Sequence, residues 1–333
     1  MIKILFLSPN YRKRTNWGHQ LFRDTVIRST HLHDGAMQYG EGCTHRGKTH
    51  LPDIFEEVGY HDVVVMENQK NMQKYTGLDE VACIKAIYLG DYLPDGRNNI
   101  REYNKLINKH SIHIAFCPVP RVLRLFNEQK SLHQVSQECE AVELPYSVDT
   151  SIYKPRPHLP ILYDVMAVFG LVSYIYPRRP IVQKTIKELK GIKSLVGNWS
   201  SKLRWMDYAR AISQSKIFVS VNGIHNQITM KYTEAMASGS LLLTNEPEDF
   251  KYLGFKPGIH CETWSSLQEL KEKIVYYTIH DAERNKIATA GRRFVQKNYS
   301  TEIMTEKFVE RIKNEASIAS HCSTPRYMGR NFA

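Results

Sequence analysis

The stretch KIFVSVNGIHNQITMKYTEAMASGSLLLTN, residues 216–245, decides the fold. Residues 216–223 are an apolar run that stops at Gly223. After a polar turn, residues 230–238 combine small and apolar side chains, which predicts a helix closed by Gly239. Leu241, Leu242 and Leu243 then open a second short apolar run. Two continuously apolar strands joined through a helix form a parallel βαβ unit buried on both faces. Glu234 stands inside this helix, among small residues. An acid in the first two turns can stabilise the helix dipole without any ligand. It can equally face a ligand beyond the carboxyl edge of the sheet. The pattern alone leaves both readings open.

The same alternation runs outward in both directions. YDVMAVFG (163–170) and IKSLVG (192–197) read as strands, and PGIHCE (257–262) as one more. PIVQKTIKELKG (180–191) and LRWMDYARAISQ (203–214) read as helices, the first with Pro at its start and Gly as its stop. Ser265 stands three residues before Gln268, a capping-box spacing for the helix over 265–280. Two further helices are expected from Asp281 and from Thr301. In the first half the strands are IKILFLS, DVVVME, IKAIYLGD, IHIAFCP and AVELP, with helices near 17–28, 51–58, 98–109 and 119–128.

The expected fold class is therefore α/β, with two Rossmann-like domains whose parallel sheets face an interdomain cleft. The Pro-rich segment LPYSVDTSIYKPRPHLP (144–160) separates them. The expected limits are 1–148 for the first domain, 149–160 for the linker and 161–300 for the second domain. A C-terminal helix and tail, 301–333, is expected to cross back to the first domain.

Composition narrows the class. At 333 residues, 42% hydrophobic and 24% charged, the chain is of ordinary globular type and long enough for two domains. No apolar run approaches the ~20 residues of a membrane span. MIKILFLSPN turns polar at Ser8 and lacks a signal-peptide cleavage pattern, so it reads as a first strand. The six cysteines are scattered singly, which argues against zinc or disulfide frameworks and suits a reducing cytoplasm. Residues 1–150 hold 18 basic and 18 acidic side chains, so the net charge of +11 belongs to the second half. A basic half suits an anionic ligand, phosphates above all, or a solvated basic surface.

Three places could carry chemistry. Gly170 ends a strand, and Arg178 and Arg179 stand just before the helix expected from Pro180. Two guanidiniums at a helix N-terminus suit a diphosphate, or equally a solvated helix start. No G-x-G-x-x-G is present, so the dinucleotide fingerprint is absent. Lys231, one turn before Glu234, can reach a phosphate while Glu234 takes the hydroxyls of a ribose. In the first half, the polar loop SPNYRKRTNWGHQ carries Arg12, Lys13, Arg14 and His19. Glu41 lies in QYGEGC, and Asp91 directly follows a strand. Each of these also has a structural reading, Asp91 as a turn former.

Four segments taken in order resemble the GT-B glycosyltransferases, and within them the CgeB-like group named after a spore-maturation protein. They are LPYSVDTSIYKP, YDVMAVFG with YPRRPIV, KYTEAMASGSLLLTN, and DAERNKIATAGRRFVQKNYS. The resemblance spans residues ~145 to 300 well, and reaches the first half only through QYGEGC and YLGDYL. It implies an enzyme that moves a hexose from a nucleotide-diphosphate sugar, a UDP-sugar by first expectation, with no further cofactor and no metal. It implies that Glu234 holds the donor ribose and that Gly170, Arg178 and Arg179 lie at the diphosphate. The retaining members carry a Glu-x7-Glu pair, and Asn226 stands here in place of its first Glu. Asn can hydrogen-bond a sugar hydroxyl but cannot act as a carboxylate, so the stereochemical course stays open.

If the reaction inverts, a base from the first domain must take the acceptor proton, with Asp91, His19 and Glu41 as candidates in that order. The acceptor and the oligomeric state are not written in the sequence. A hydroxymethylated base in DNA is one acceptor, by analogy with other GT-B sugar transferases. A cell-surface or spore polysaccharide, or a protein, is the alternative. A non-catalytic nucleotide-sugar or nucleic-acid binding protein is the reading of another class.

Overall fold

The computed structural model describes residues 2–9, 17–67, 69–90, 92, 100–170, 176–198, 203, 205–223 and 226–321. These residues fall into two compact units. Unit 1 takes the chain up to Pro145 together with the residues from Met304 onward, and unit 2 spans Tyr146–Ile303.

Unit 1 is built from β1 (Lys3–Leu7), α1 (Trp17–Arg28), β2 (Gly35–Tyr39), α2 (Leu51–Val58), β3 (Val63–Met66) and α3 (Gln69–Lys74), followed by β4 (Ile84–Tyr88), α4 (Ile100–Lys109), β5 (Ile114–Cys117), α5 (Pro120–Ser131) and β6 (Glu140–Glu143). Its six strands lie in the order β2-β1-β3-β4-β5-β6, every pair parallel. Strands β3, β4 and β5 are buried along their whole length, and β1 at all but Lys3, as strands covered on both faces must be. The sequence gives no sign of β2, because GAMQY holds no β-branched residue and is mostly half-buried at the sheet edge. The short helix α3 is likewise not anticipated.

Unit 2 contains β7 (Tyr163–Val168), α6 (Arg178–Lys187), β8 (Ser194–Gly197), α7 (Trp205–Ser213), β9 (Ser215–Ser220), α8 (Met230–Ala237), β10 (Leu241–Thr244), β11 (Glu262–Thr263), α9 (Leu267–Ile279) and α10 (Asp281–Tyr299). Its sheet has the order β11-β10-β9-β7-β8, again all parallel. The opening stretch is the central βαβ unit: Leu241 pairs with Ile217 and Leu243 with Val219. The segment 146–149 belongs to unit 2, where the Val148 N–H donates to the Tyr299 carbonyl at 2.8 Å.

The last helix, α11 (Thr301–His321), begins in unit 2 and from Met304 onward belongs to unit 1. There Phe308 packs on Phe6 and Phe116, with ring centroids at 6.0 and 5.0 Å, and edge-on to Phe22 at 5.6 Å. Arg311 pairs with Glu140 and, at 2.8 Å, with Glu315.

Three local expectations are corrected. The helix expected from Pro180 begins at Arg178 and ends at Lys187, so both arginines lie inside its first turn. Pro180 is tolerated there because the first N–H groups of a helix have no intrahelical partner. The capping box of α9 sits one residue later than its spacing suggested. Ser266 is the N-cap and accepts the Glu269 N–H at 3.1 Å, while Glu269 takes the Ser265 N–H and hydroxyl at 2.8 and 2.7 Å. Of PGIHCE only Glu262 enters the sheet, and the residues before it make a turn in which Gly258 donates to the Cys261 carbonyl.

Candidate functional site

The order of strands places the site. In unit 2, β7 leads through α6 to β8 on one side, and the chain then returns to β9 on the other side of β7. Ligands of open parallel sheets bind outside the carboxyl ends of the strands at such a reversal. The carboxyl ends of β7 and β9 bring Gly170, the start of α6, the segment around Asn226 and the start of α8 to this edge.

Glu234 lies on α8, one turn after Lys231, and is only 5% exposed. Burial raises its pKa, while the Lys231 cation and a hydrogen bond from the Tyr153 hydroxyl pull it back down. Its Oε2 has no hydrogen-bond partner among the described residues. Nor have three other buried oxygens at this edge: Ser220 Oγ at the end of β9, Gln227 Oε1, and Oγ1 of Thr229, the α8 N-cap residue. A buried polar group left unpaired costs about 1–3 kcal/mol, so such a set marks a place where ligand or water enters. Lys231 is half-buried, and burial lowers its pKa to about 8, with Glu234 opposing the shift and the Arg179 cation adding to it.

The two arginines part company. Arg178 is exposed at the first position of α6. Arg179 is 4% exposed, stacks over the Tyr176 ring at 3.3 Å and donates to the Gly170 carbonyl at 3.0 Å. Its cation therefore braces the turn after β7, while Arg178 reaches solvent. Asn226 adopts φ of 62°, a left-handed conformation that Asn tolerates better than Glu. Its side-chain oxygen accepts from the Asn222 amide, and the Asn222 N–H donates to Asn245 Oδ1 at 3.0 Å. Backbone and side-chain geometry thus both suit Asn at this position.

Unit 1 has its own reversal, between β1 and β3. Ser8 follows β1 and Glu67 follows β3. Arg23, fully buried on α1, pairs with Glu67 and donates to Gln20 at 3.0 Å. Gln38 of β2 ties Gln20 to the carbonyls of Ser8 and Pro9. Sequence reasoning passed over this buried polar network, although Glu67 closes the run DVVVME just where a strand ends. Among the base candidates, Glu41 is exposed in the turn after β2. His19 lies in α1, and its side chain falls outside the described residues, as does Asp91 altogether. The basic triplet Arg12, Lys13 and Arg14 also lies outside them. Among the described residues no group of three or more His, Cys, Asp or Glu side chains is gathered as a metal site. No described helix is long and apolar enough to cross a membrane.

Comparison with known proteins agrees with this geometry. Residues 178–310 match the family described as glycosyl transferase-like. They hold α6, Lys231 and Glu234. No curated protein sequence matches the chain. Among solved structures, HepE of Anabaena in complex with UDP-glucose is similar with a TM-score of 0.70 at 11% identity, covering 95% of this chain and 100% of that one. Sucrose-phosphate synthase of Thermosynechococcus elongatus gives a TM-score of 0.63 at 9% identity, covering 96% and 100%. The β-glucosyltransferase of phage T4 gives 0.59 at 16% identity, covering 94% and 98%. The fold is that of the GT-B glycosyltransferases, and the segment 178–310 is similar to a family described as glycosyl transferase-like.

Proposed function

We propose that this protein is a glycosyltransferase that moves a hexosyl group from a UDP-sugar to an acceptor hydroxyl. The observation that carries the reading is the buried Glu234 carboxylate, with Oε2 open, at the strand reversal of unit 2. The similarity of residues 178–310 to a glycosyl transferase-like family supports it, as does the fold shared with a protein that holds UDP-glucose. The resemblance of the four ordered segments noted above supports the CgeB-like group as the reading within that fold.

Glu234 accepts the ribose hydroxyls of the donor. Lys231, Arg178 and the N–H groups opening α6 face the diphosphate, and Asn226 faces the sugar. The acceptor oxygen bonds to the anomeric carbon as the bond to the diphosphate breaks, so negative charge grows on the leaving group. Cations and N–H dipoles aimed at that charge lower the barrier, by a term that is commonly the largest in such sites. The acceptor hydroxyl gives its proton to a base of unit 1. Asp91, His19 and Glu41 are candidates, and Glu67, held beside Arg23 at the reversal of unit 1, joins them. A hydroxymethylated base in duplex DNA is the acceptor to try first, on the strength of the fold shared with a phage glucosyltransferase.

The test is a thermal-shift screen of UDP- and GDP-sugars, then mass spectrometry of hydroxymethylated duplex DNA and of polysaccharide acceptors. A UDP-sugar is expected to raise the melting temperature and to release UDP on transfer. If no nucleotide sugar stabilises the fold, the reading fails.

A further inference from the structure

We infer that the turn from β9 into α8 reads the hexosyl part of the donor, that Ser220, Gln227 and Thr229 are its specificity-determining residues, and that it takes a neutral hexose through free hydroxyls. The inference rests on the donor-site reading of Glu234.

The turn is fixed through its backbone. The Gly223 N–H donates to the Gln227 carbonyl at 2.7 Å, and the Glu248 N–H donates to the Asn226 carbonyl at 3.0 Å. A Cβ on Gly223 would meet Gln227 Cγ at 3.2 Å and Thr229 Cγ2 at 3.3 Å, so these two side chains converge on the backbone just beyond β9. Ser220, the last residue of β9, joins them from the sheet. Its neighbours Val219 and Val221 pack with residues of α6 and α9 on one face, which turns Ser220 to the other. Its register partner on that face is Thr244, whose hydroxyl donates to the Tyr232 hydroxyl of α8 at 2.7 Å. Ser220 therefore lies on the side of the sheet that α8 covers.

Three oxygens of this turn stand unbonded. Ser220 is fully buried and Gln227 is 6% exposed, yet Ser220 Oγ and Gln227 Oε1 have no hydrogen-bond partner among the described residues. Thr229 is the N-cap residue of α8, where such a hydroxyl ordinarily accepts an N–H of the first turn. Here it makes no cap bond, and its Oγ1 is buried without a described partner. A helix cap is thus forgone and two more polar atoms are left unbonded, each at a cost in stability. Rules of local packing are broken in this way where a ligand supplies the missing partner.

The kind of atom names the kind of ligand. Gln227 Oε1 and Glu234 Oε2 only accept hydrogen bonds, while the hydroxyls of Ser220 and Thr229 accept as well as donate. A phosphate offers acceptors and negative charge, which this set cannot answer. A sugar ring offers several adjacent O–H groups, each able to donate. With Glu234 on the ribose, Ser220, Gln227 and Thr229 are left for the hexose. A uronate would bring a second carboxylate towards Glu234. A ring without a donor at this place leaves a buried acceptor unbonded, and that difference is what discriminates.

The experiment measures binding of UDP, UDP-glucose, UDP-galactose, UDP-N-acetylglucosamine and UDP-glucuronate by calorimetry, and melting of the free protein. It uses the wild type, Ser220→Ala, Gln227→Met, Thr229→Val and Ser240→Ala. Ser240 is the control, a buried hydroxyl that has a partner in the Ile212 carbonyl at 3.0 Å. The wild type is expected to bind at least one of the three neutral UDP-hexoses tenfold or more tightly than UDP, and UDP-glucuronate no more than threefold. Gln227→Met and Thr229→Val should cut the hexose advantage to threefold or less, and Ser220→Ala should cut it severalfold, while UDP affinity moves less than twofold. All three should melt at the wild-type temperature or above, because each loses a polar atom that had no partner. Ser240→Ala should melt lower and keep the advantage. If the three variants melt lower or do not fold, their polar atoms serve the packing and the inference is overturned. It is equally overturned if the hexose advantage survives in them, or if UDP-glucuronate binds as tightly as the best neutral hexose. A wild type that binds UDP but no UDP-hexose more tightly overturns the inference and leaves the donor site standing. If the wild type binds no nucleoside diphosphate, the donor-site reading and this inference fall together.

Discussion

Gly291 of α10 lies against the carbonyl of His260 so closely that a Cβ would stand 2.1 Å from that oxygen. The same Cβ would meet the Met236 methyl of α8 at 3.1 Å. Helix α10 therefore packs onto the helix that carries Glu234 only because residue 291 has no side chain. Gly291→Ala is expected to destabilise unit 2 by ~1–3 kcal/mol, the usual cost of overpacking. A thermal or chemical unfolding curve checks it. An unchanged midpoint would mean that the contact between α8 and α10 is looser than described.

Unit 1 is expected to lose stability in acid. His61 and His110 are both buried, and burial holds their pKa values below the ordinary one. Neighbouring lysines act the same way, Lys3 at His61, and Lys109 and Lys85 at His110, while the Gly59 carbonyl opposes the shift at His61. In the unfolded chain a histidine titrates near 6.5. As pH falls through ~6.5 the unfolded state takes up protons that the folded state refuses, so stability present above that pH is lost below it. Each group contributes a slope of up to about 1.4 kcal/mol per pH unit. Urea titrations between pH 5 and 7.5 should show the slope, and the double variant His61→Gln, His110→Gln should flatten it. A slope that survives in the double variant assigns the acid sensitivity elsewhere.

The two arginines of α6 should separate by experiment. Arg179 stacks on Tyr176 and bonds the Gly170 carbonyl, neither of which a lysine reproduces. Arg179→Lys is expected to cost ~1–2 kcal/mol of stability. Exposed Arg178 should behave in the opposite way. Arg178→Ala leaves stability within ~0.5 kcal/mol and weakens UDP binding severalfold. Unfolding midpoints and calorimetric affinities of the two variants decide the assignment, and a reversed pattern overturns it.

How much of this was legible beforehand depended on the range of the interactions. The strands of unit 2 announce themselves as apolar runs with a helix between them, because a parallel sheet buries both faces and leaves no polar alternation. Glu234 stood out for the same local reason, a charge among small residues. The influence of the Tyr153 phenol on its pKa could not be seen, since the two are 81 positions apart in the chain. The inward turn of Arg179 was hidden too. Two adjacent arginines look alike in sequence, and the helix start at Arg178 points one outward and one into the packing. The pair Arg23 and Glu67 went unread because each alone is an ordinary surface residue type, and only the order of β1 and β3 brings them together.

Lys231 gives the donor site a test in alkali. Burial brings its pKa to about 8, against the pull of the Glu234 carboxylate and with the push of the Arg179 cation. Below that pH the ammonium is charged and attracts a diphosphate, and above it the charge is lost. The affinity of the free protein for UDP should therefore fall as pH rises through ~8, and kcat/KM for the UDP-sugar should fall along the same limb, since it reports groups of the free enzyme. Lys231→Arg keeps a cation that stays charged throughout this range, so the limb should disappear while some affinity remains. Lys231→Met should weaken UDP binding at pH 7 by tenfold or more and leave little further loss at pH 9. Calorimetry at pH 7, 8 and 9 on the three proteins checks this. An alkaline limb that persists in Lys231→Arg would show that another group, and not Lys231, meets the diphosphate.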